Sequence, residues 1–325
     1  MDAAESVVIA GHVCVDEIVT AGGTRRMPGS PAVFMAPVLR DGGYIARVAA
    51  PHGPDFEALG AGLRMLEPAD RAGTLVYVND LTGIRRTQAV RQPEAAALGL
   101  PGPLVTPALA EARALLFTPL LPDPAPEVVA AYTAALPDEA LRLVLLQGYL
   151  RELDAETDAR GGHAVHERRF VEAPQLLPLF DVAVLSDEDL LDGAHASASA
   201  WAAAHPTTAV IVTRGAEGAS VYRGRERTDL PAYDVGNLAP DALVGAGDQF
   251  GAELTLALLD SPAGPRAAAR DPRGLVTAVA RATRTTALRL ADRTTSTAGA
   301  SGVSSRSGEA TPDRTDVMPS GAARR

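Results

Sequence analysis

Short apolar runs recur along this chain, and helical stretches separate them. Residues 6–15, 44–50, 75–78, 114–121, 141–146, 181–185 and 208–212 each read as a strand. The runs are rich in Val, Leu and Ile and mostly continuous, so both faces of each strand are expected to be buried. Helical patterns lie between them, as after Pro31 and from Glu127 to Ala135 behind Pro126. Parallel strands cannot be joined by a tight turn and need a crossover. The alternation therefore predicts an α/β fold, with a mostly parallel sheet and helices on both faces.

The chain has 325 residues, of which 46% are hydrophobic, enough to bury a large core. Its formal net charge is −10, and no basic stripe is visible. Nucleic acid and anionic membrane surfaces are therefore poor partners, and a small neutral substrate or a nucleotide fits better. The sequence contains no lysine. That excludes a Walker-type phosphate loop, a Schiff-base lysine and a protein-kinase lysine. Any phosphate must be held by backbone N–H groups, Arg or a metal. Cys14 is the single cysteine and lies in an apolar run. It reads as a small core residue, and the expected setting is a reducing cytoplasm. The first residues are acidic, unlike the basic start of a signal peptide. No apolar run reaches the ~18 residues that a membrane span needs.

The chemistry concentrates at residues 241–260. Gly245-Ala246-Gly247-Asp248 precedes a helical pattern of Phe250, Leu254, Ala257 and Leu258. Glycines there let the backbone approach a ligand. The first turn of a helix offers free N–H groups and partial positive charge, which suits phosphate. A carboxylate beside such a site makes sense as the base for an attacking hydroxyl. The same tetrapeptide is also an ordinary tight turn with Asp near the N-cap, and by itself it does not separate the two.

Other candidates carry a bland reading too. Asp16 follows the first strand, where α/β sheets bind ligands, but a solvated turn residue fits as well. His12 reads as a strand residue. Residues 81–90, with Arg85 and Arg86, could cover a site or form a solvated edge. Residues 152–172, with His163 and His166, read as a polar loop rather than a metal pair. Ser186-Asp187-Glu188-Asp189 fits an acidic first helical turn or a metal–phosphate contact. Thr213-Arg214-Gly215-Ala216-Glu217-Gly218 fits a hairpin turn or a nucleotide edge.

In order, these motifs resemble the ribokinase-type (PfkB) family of carbohydrate and nucleoside kinases over residues 6 to about 290. The matching segments are Gly11 to Asp16, Gly29-Ser30, Val48 to Gly53-Pro54-Asp55, Ser186 to Asp189, Thr213 to Gly218, and Gly245 to Phe250. The resemblance implies a three-layer α/β/α ribokinase-like fold with a small β lid, made by segments of about 11–40 and 74–92. It implies ATP-dependent phosphorylation of a hydroxyl on a small sugar or polyol. Asp248 would be the base, and Gly245, Ala246 and Gly247 the anion hole. Asp16, Gly29 and Ser30 would hold the substrate. Thr213, Gly215 and Gly218 would border ATP. Mg2+ would bridge phosphates through water, with Asp189 its contact. Lid edges in this family often pair, so the resemblance allows a homodimer through the lid, while the sequence itself is silent on oligomeric state. Residues 291–325, poor in large apolar side chains, are expected to be a disordered tail.

Departures from the family pattern matter. Ser30 replaces a glycine, Ser186 an Asn and Asp189 a Glu. Ala242 stands where the family carries its first Asp, with Asp241 one residue early, which puts a monovalent-cation site in question. Phe34 and the Gln147-Gly148-Tyr149-Leu150-Arg151 segment look more like the inositol-kinase side. A nucleoside kinase of this fold, or a non-catalytic sugar- or nucleotide-binding regulator, stays open as an alternative.

Overall fold

The apolar run 6–15 breaks in the middle. In the computed structural model, which describes residues 5–83, 87–190, 193–238 and 240–301, β1 (Ser6–Gly11) ends at Gly11 with φ +139°. β2 (Cys14–Thr20) then begins in a different sheet. A Cβ at Gly11 would lie 2.5 Å from the Thr118 carbonyl oxygen, so glycine is required where the chain turns out of the sheet. The run reads as one strand because no polar interruption other than His12 marks the break. His12 is buried, and its Nδ1 accepts the Leu120 N–H at 3.0 Å.

The remaining strands are β3 (Gly23–Gly29), β4 (Ile45–Ala49), β5 (Val76–Asp80), β6 (Thr87–Arg91), β7 (Ala112–Thr118), β8 (Leu141–Leu145), β9 (Arg151–Thr157), β10 (His163–Glu167), β11 (Val182–Ser186), β12 (Ala209–Thr213), β13 (Ala219–Arg223) and β14 (Glu226–Leu230). The helices are α1 (Pro31–Asp41), α2 (Pro54–Glu57), α3 (Val105–Ala110), α4 (Pro126–Ala134), α5 (Ala173–Leu176), α6 (Ala194–Ala204), α7 (Ala246–Leu259), α8 (Pro265–Arg270) and α9 (Pro272–Ser301).

The main sheet runs β14-β13-β12-β11-β8-β7-β1-β4. Its pairs are parallel from β12 to β4, and β13 and β14 close one edge antiparallel. Two-residue alternation splits the core. Val7 and Ile9 pack with α1, α7 and α9 residues such as Met35, Leu254 and Val279. Val8 and Ala10 pack on the other face with Leu109, Val129 and Ala198. The sheet is thus covered on both faces, as its continuous apolar strands require.

A second sheet runs β3-β2-β5-β6-β10-β9. It departs from the expected lid segments in two ways. α1 leaves segment 11–40 and packs against α7 and β4 of the main layer. The hairpin β9–β10 joins the sheet, although its stretch reads as polar loop. Only Leu153 and Val165 give it an apolar anchor, against the cluster around Cys14, Leu75 and Tyr77. The last helix reaches Ser301, past Leu290 where the expected tail begins. The rest of the tail, like Arg85 and Arg86, lies outside the described residues.

Candidate active site

Strand alternation puts Cys14 and Asp16 on one face of β2 and Val15 on the other. Asp16 therefore does not lie past the end of the central strand. It sits within the second sheet, opposite Met27 on β3 and Tyr77 on β5. Cys14 Sγ lies 3.8 Å from Asp16 Oδ1 as a weak donor, and burial pushes its thiol well up. Gly29 pairs with Cys14 across the β2–β3 ladder. A Cβ at Gly29 would run into both the Asp16 carboxylate and the Cys14 sulfur, so glycine makes the room that Asp16 occupies.

Ser30 follows at the N-cap of α1, with φ +126° and ψ 159°. This is backbone that glycine adopts freely and serine does not. Its hydroxyl is buried and has no hydrogen-bond partner among the described residues. Strain and an orphaned polar atom thus coincide at one position, and neither stabilises the fold. Ser30→Gly is expected to raise stability by about 1 kcal/mol, as relief of ~1–3 kcal/mol of strain outweighs the added freedom of the unfolded glycine. Denaturant unfolding checks this, and a lower midpoint would show that the serine backbone is not strained.

Gly53-Pro54-Asp55 has a structural part to play. Asp55 Oδ1 accepts the Thr74 hydroxyl at 2.7 Å, and Thr74 Oγ1 accepts the Gly53 N–H at 2.8 Å. The motif pins the entry to β5 and with it the floor beneath Asp16.

Gly245 is the N-cap of α7, with φ +75°. A Cβ there would enter the Phe34 ring, so the turn and α1 are in close contact. Arg293 of α9 stacks 5.6 Å over that ring and donates to the Val244 carbonyl oxygen at 3.1 Å. No side chain caps α7. Its first N–H groups, around Ala246 and Gly247, are therefore available to an anion, and Gly247 has open space beside it.

Asp248 occupies the first turn of α7 and is half-buried. Burial, with Asp189 and Asp16 adding repulsion, pushes its carboxyl up to about 7, and Arg151 opposes the shift. Asp16, Arg151 and Asp189 therefore all lie within electrostatic reach of Asp248. Asp189 lies at the end of β11. Its Oδ2 accepts the Ser186 N–H at 2.9 Å in a capping box, and burial raises its carboxyl. The Ser-for-Asn and Asp-for-Glu departures are thus consistent with each other locally, since Ser and a carboxylate three residues on make that box.

The nucleotide candidates are partly taken up by the fold itself. Thr213 Oγ1 donates to the Leu185 carbonyl oxygen at 3.3 Å. Gly218, φ +98°, is needed because β14's exit at Leu230–Ala232 passes against it. Gly215, φ +49°, alone has open space above it.

No family model and no curated protein matches the chain. Solved structures do. A pyrophosphate-dependent kinase of the ribokinase family, in its sulfate complex, superposes with TM-score 0.66 at 15% identity, over 87% of this chain and 95% of that one. Ribokinase from Giardia lamblia gives 0.65 at 15% identity, over 91% and 99%. Adenosine kinase from Sinorhizobium meliloti gives 0.61 at 15% identity, over 89% and 93%. The chain has the ribokinase fold. Within it, Asp16 and Asp189 lie within electrostatic reach of Asp248, Gly29 backs onto the Asp16 carboxylate, and Gly245 opens the helix that carries Asp248.

Arg151 is the residue sequence reasoning did not single out for the site. It begins β9, and its Nη1 donates to the Tyr77 hydroxyl at 2.8 Å. A lone arginine before a polar stretch carries no signal of its own. Among the described residues, no group of three or more His, Cys, Asp or Glu is arranged to hold a metal. His163 and His166 lie instead on β10, with His166 Nε2 3.0 Å from Asp154 Oδ1. No helix of the described chain is long and apolar enough to cross a membrane.

Proposed function

We propose that this chain transfers a phosphoryl group from ATP to a hydroxyl of a small sugar or polyol. The observation that carries the reading is Asp248: a carboxylate of near-neutral proton affinity, set in the first turn of an uncapped helix. The acceptor lies against Asp16, Gly29 and Ser30. Asp248 takes the proton from its hydroxyl as the oxygen attacks. The backbone of Gly245, Ala246 and Gly247 stabilises charge on the transferred group. Aspartate is well matched to this step, because a base works best when its proton affinity sits near the working pH.

An uncapped helix start fits the phosphates of ATP, and the open side of Gly215 fits its approach. Thr213 and Gly218 would border the nucleotide from behind. Asp189 fits a hydrated Mg2+, which asks for only one or two carboxylates, because its second carboxylate oxygen has no partner among the described residues. The ion would neutralise phosphate charge. The buried single cysteine fits a reducing, cytoplasmic setting. The second sheet, with β3 and β9 at its edges, would act as the lid and could pair two copies of the chain.

A panel of sugars, polyols and nucleosides with Mg-ATP, followed by ADP release, tests the reading. One sugar or polyol is expected to turn over fastest. Preference for a nucleoside would move the acceptor class. Transfer from pyrophosphate but not ATP would overturn the donor. A raised melting temperature with no ADP from any compound would favour a non-catalytic sensor.

A further inference from the structure

Arg151 sets a guanidinium against the substrate floor with most of its donors unused. Its Cζ lies 5.4 Å from the Tyr77 ring centroid, and one N–H is spent on the Tyr77 hydroxyl. Tyr77 is only 3% exposed, and it is the register partner of Asp16. The tyrosine thus fixes one corner of the fork beside the strand position that carries Asp16. Among the described residues Arg151 makes no ion pair, although its charge is felt by Cys14, Asp189 and Asp248. A mobile surface arginine would need none. An arginine held by a ring face and a hydroxyl has already lost much of its freedom, and it presents the rest of a rigid fork. Such a fork matches the paired oxygens of a carboxylate or phosphate. One residue past Gly29, which backs onto Asp16, the buried Ser30 hydroxyl is another donor with no partner among the described residues. In a chain without lysine, arginine is the side chain that carries a positive charge at every working pH.

On the kinase reading above, we propose that Arg151, positioned by Tyr77, forms an anion subsite for the acceptor. The acceptor then carries a carboxylate or phosphate besides the hydroxyl it gives up, in contrast to the neutral substrate that overall charge suggests. The three carboxylates of the cleft confine that anionic group to the Arg151 side and leave the hydroxyl end to Asp16 and Asp248.

The test uses the full chain and matched acceptors: a neutral sugar or polyol, its phosphomonoester and its sugar acid. The wild type is expected to favour one anionic member by about 10–100-fold in kcat/KM, the range of one charge-assisted contact. Whether ester or acid gains identifies the anion. Arg151→Met should collapse that ratio towards one, mainly through KM, and Arg151→Lys should keep part of it. Equal or better use of neutral acceptors by the wild type overturns the subsite and leaves the kinase intact. So does an equal loss of kcat for all acceptors in Arg151→Met, which would place the arginine on the transferred phosphoryl group. Melting shifts are read in parallel without donor. If no compound is phosphorylated but the anionic ones stabilise wild type and not Arg151→Met, the subsite stands and the kinase reading falls. No shift with any anion, in a protein that also transfers nothing to them, removes the subsite.

Discussion

Asp248→Asn loses about 10²–10⁴-fold in kcat with its best acceptor, while KM for that acceptor moves little. Asparagine keeps the size of the side chain but cannot accept the proton, and removing a positioned base costs that range. The substitution has an opposite effect on stability, and its sign follows from the raised carboxyl. A carboxyl whose folded-state proton affinity exceeds its unfolded one makes the folded state less stable as pH rises from about 4 to 7, where the unfolded chain ionises and the folded one resists. Asparagine is free of that penalty. Asp248→Asn is therefore expected to be more stable than wild type at pH 8, by on the order of 1–2 kcal/mol once solvent screening in a half-buried cleft is allowed for. The advantage should vanish below about pH 4. A variant that loses activity and stability together at pH 8 would point to misfolding instead.

Gly245→Ala should be nearly as damaging through the backbone. The position has φ +75°, and the new Cβ would enter the Phe34 ring. Either the turn or α1 must move, and the α7 N–H groups lose their aim. Loss of one such donor costs about 10²–10³-fold in kcat. The steric cause can be separated from the conformational one. Phe34→Ala placed on Gly245→Ala removes the collision and should return part of the activity, though the positive φ remains. If the double variant is no better than the single one, contact with Phe34 is not what damages the turn. Phe34→Ala alone also removes the surface on which Arg293 stacks, so the double variant must be compared with it.

The chemistry of the site was legible where it is linear. Gly245 to Asp248 sit side by side in sequence, and the glycines, the carboxylate and the helix announce one another. The parallel sheet was legible because a buried parallel strand demands a near-continuous apolar run; β11 and β12 supply one each, and β7 and β8 do so apart from Arg113 and Arg142. The second sheet was harder. β9 and β10 carry few apolar residues because their solvent-facing positions, such as Glu152, Asp154 and Glu156, dominate the pattern. Arg151 became visible only when that hairpin folded back and brought it to Tyr77, far away in sequence. The break between β1 and β2 was hidden for the reverse reason: Gly11, His12 and Val13 are buried, so a turn there looks like strand. Asp16 stands out in the sequence as a carboxylate following an apolar run, although it lies within β2 of the second sheet and not past the end of a central strand. α6 is hard to place because alanine and serine fill its exposed and buried faces alike, so the buried row of Ala194, Ala198 and Ala202 does not stand out from its neighbours.

The most direct test is the pH dependence of kcat/KM for phosphoryl transfer to the best acceptor, measured on wild type from pH 5 to 9. If Asp248 removes the proton, the rate rises about tenfold per pH unit on the acid side and levels off near 7. A profile that is flat across that range, or that breaks at the same pH and height in Asp248→Asn, would contradict the assignment of this aspartate as the base.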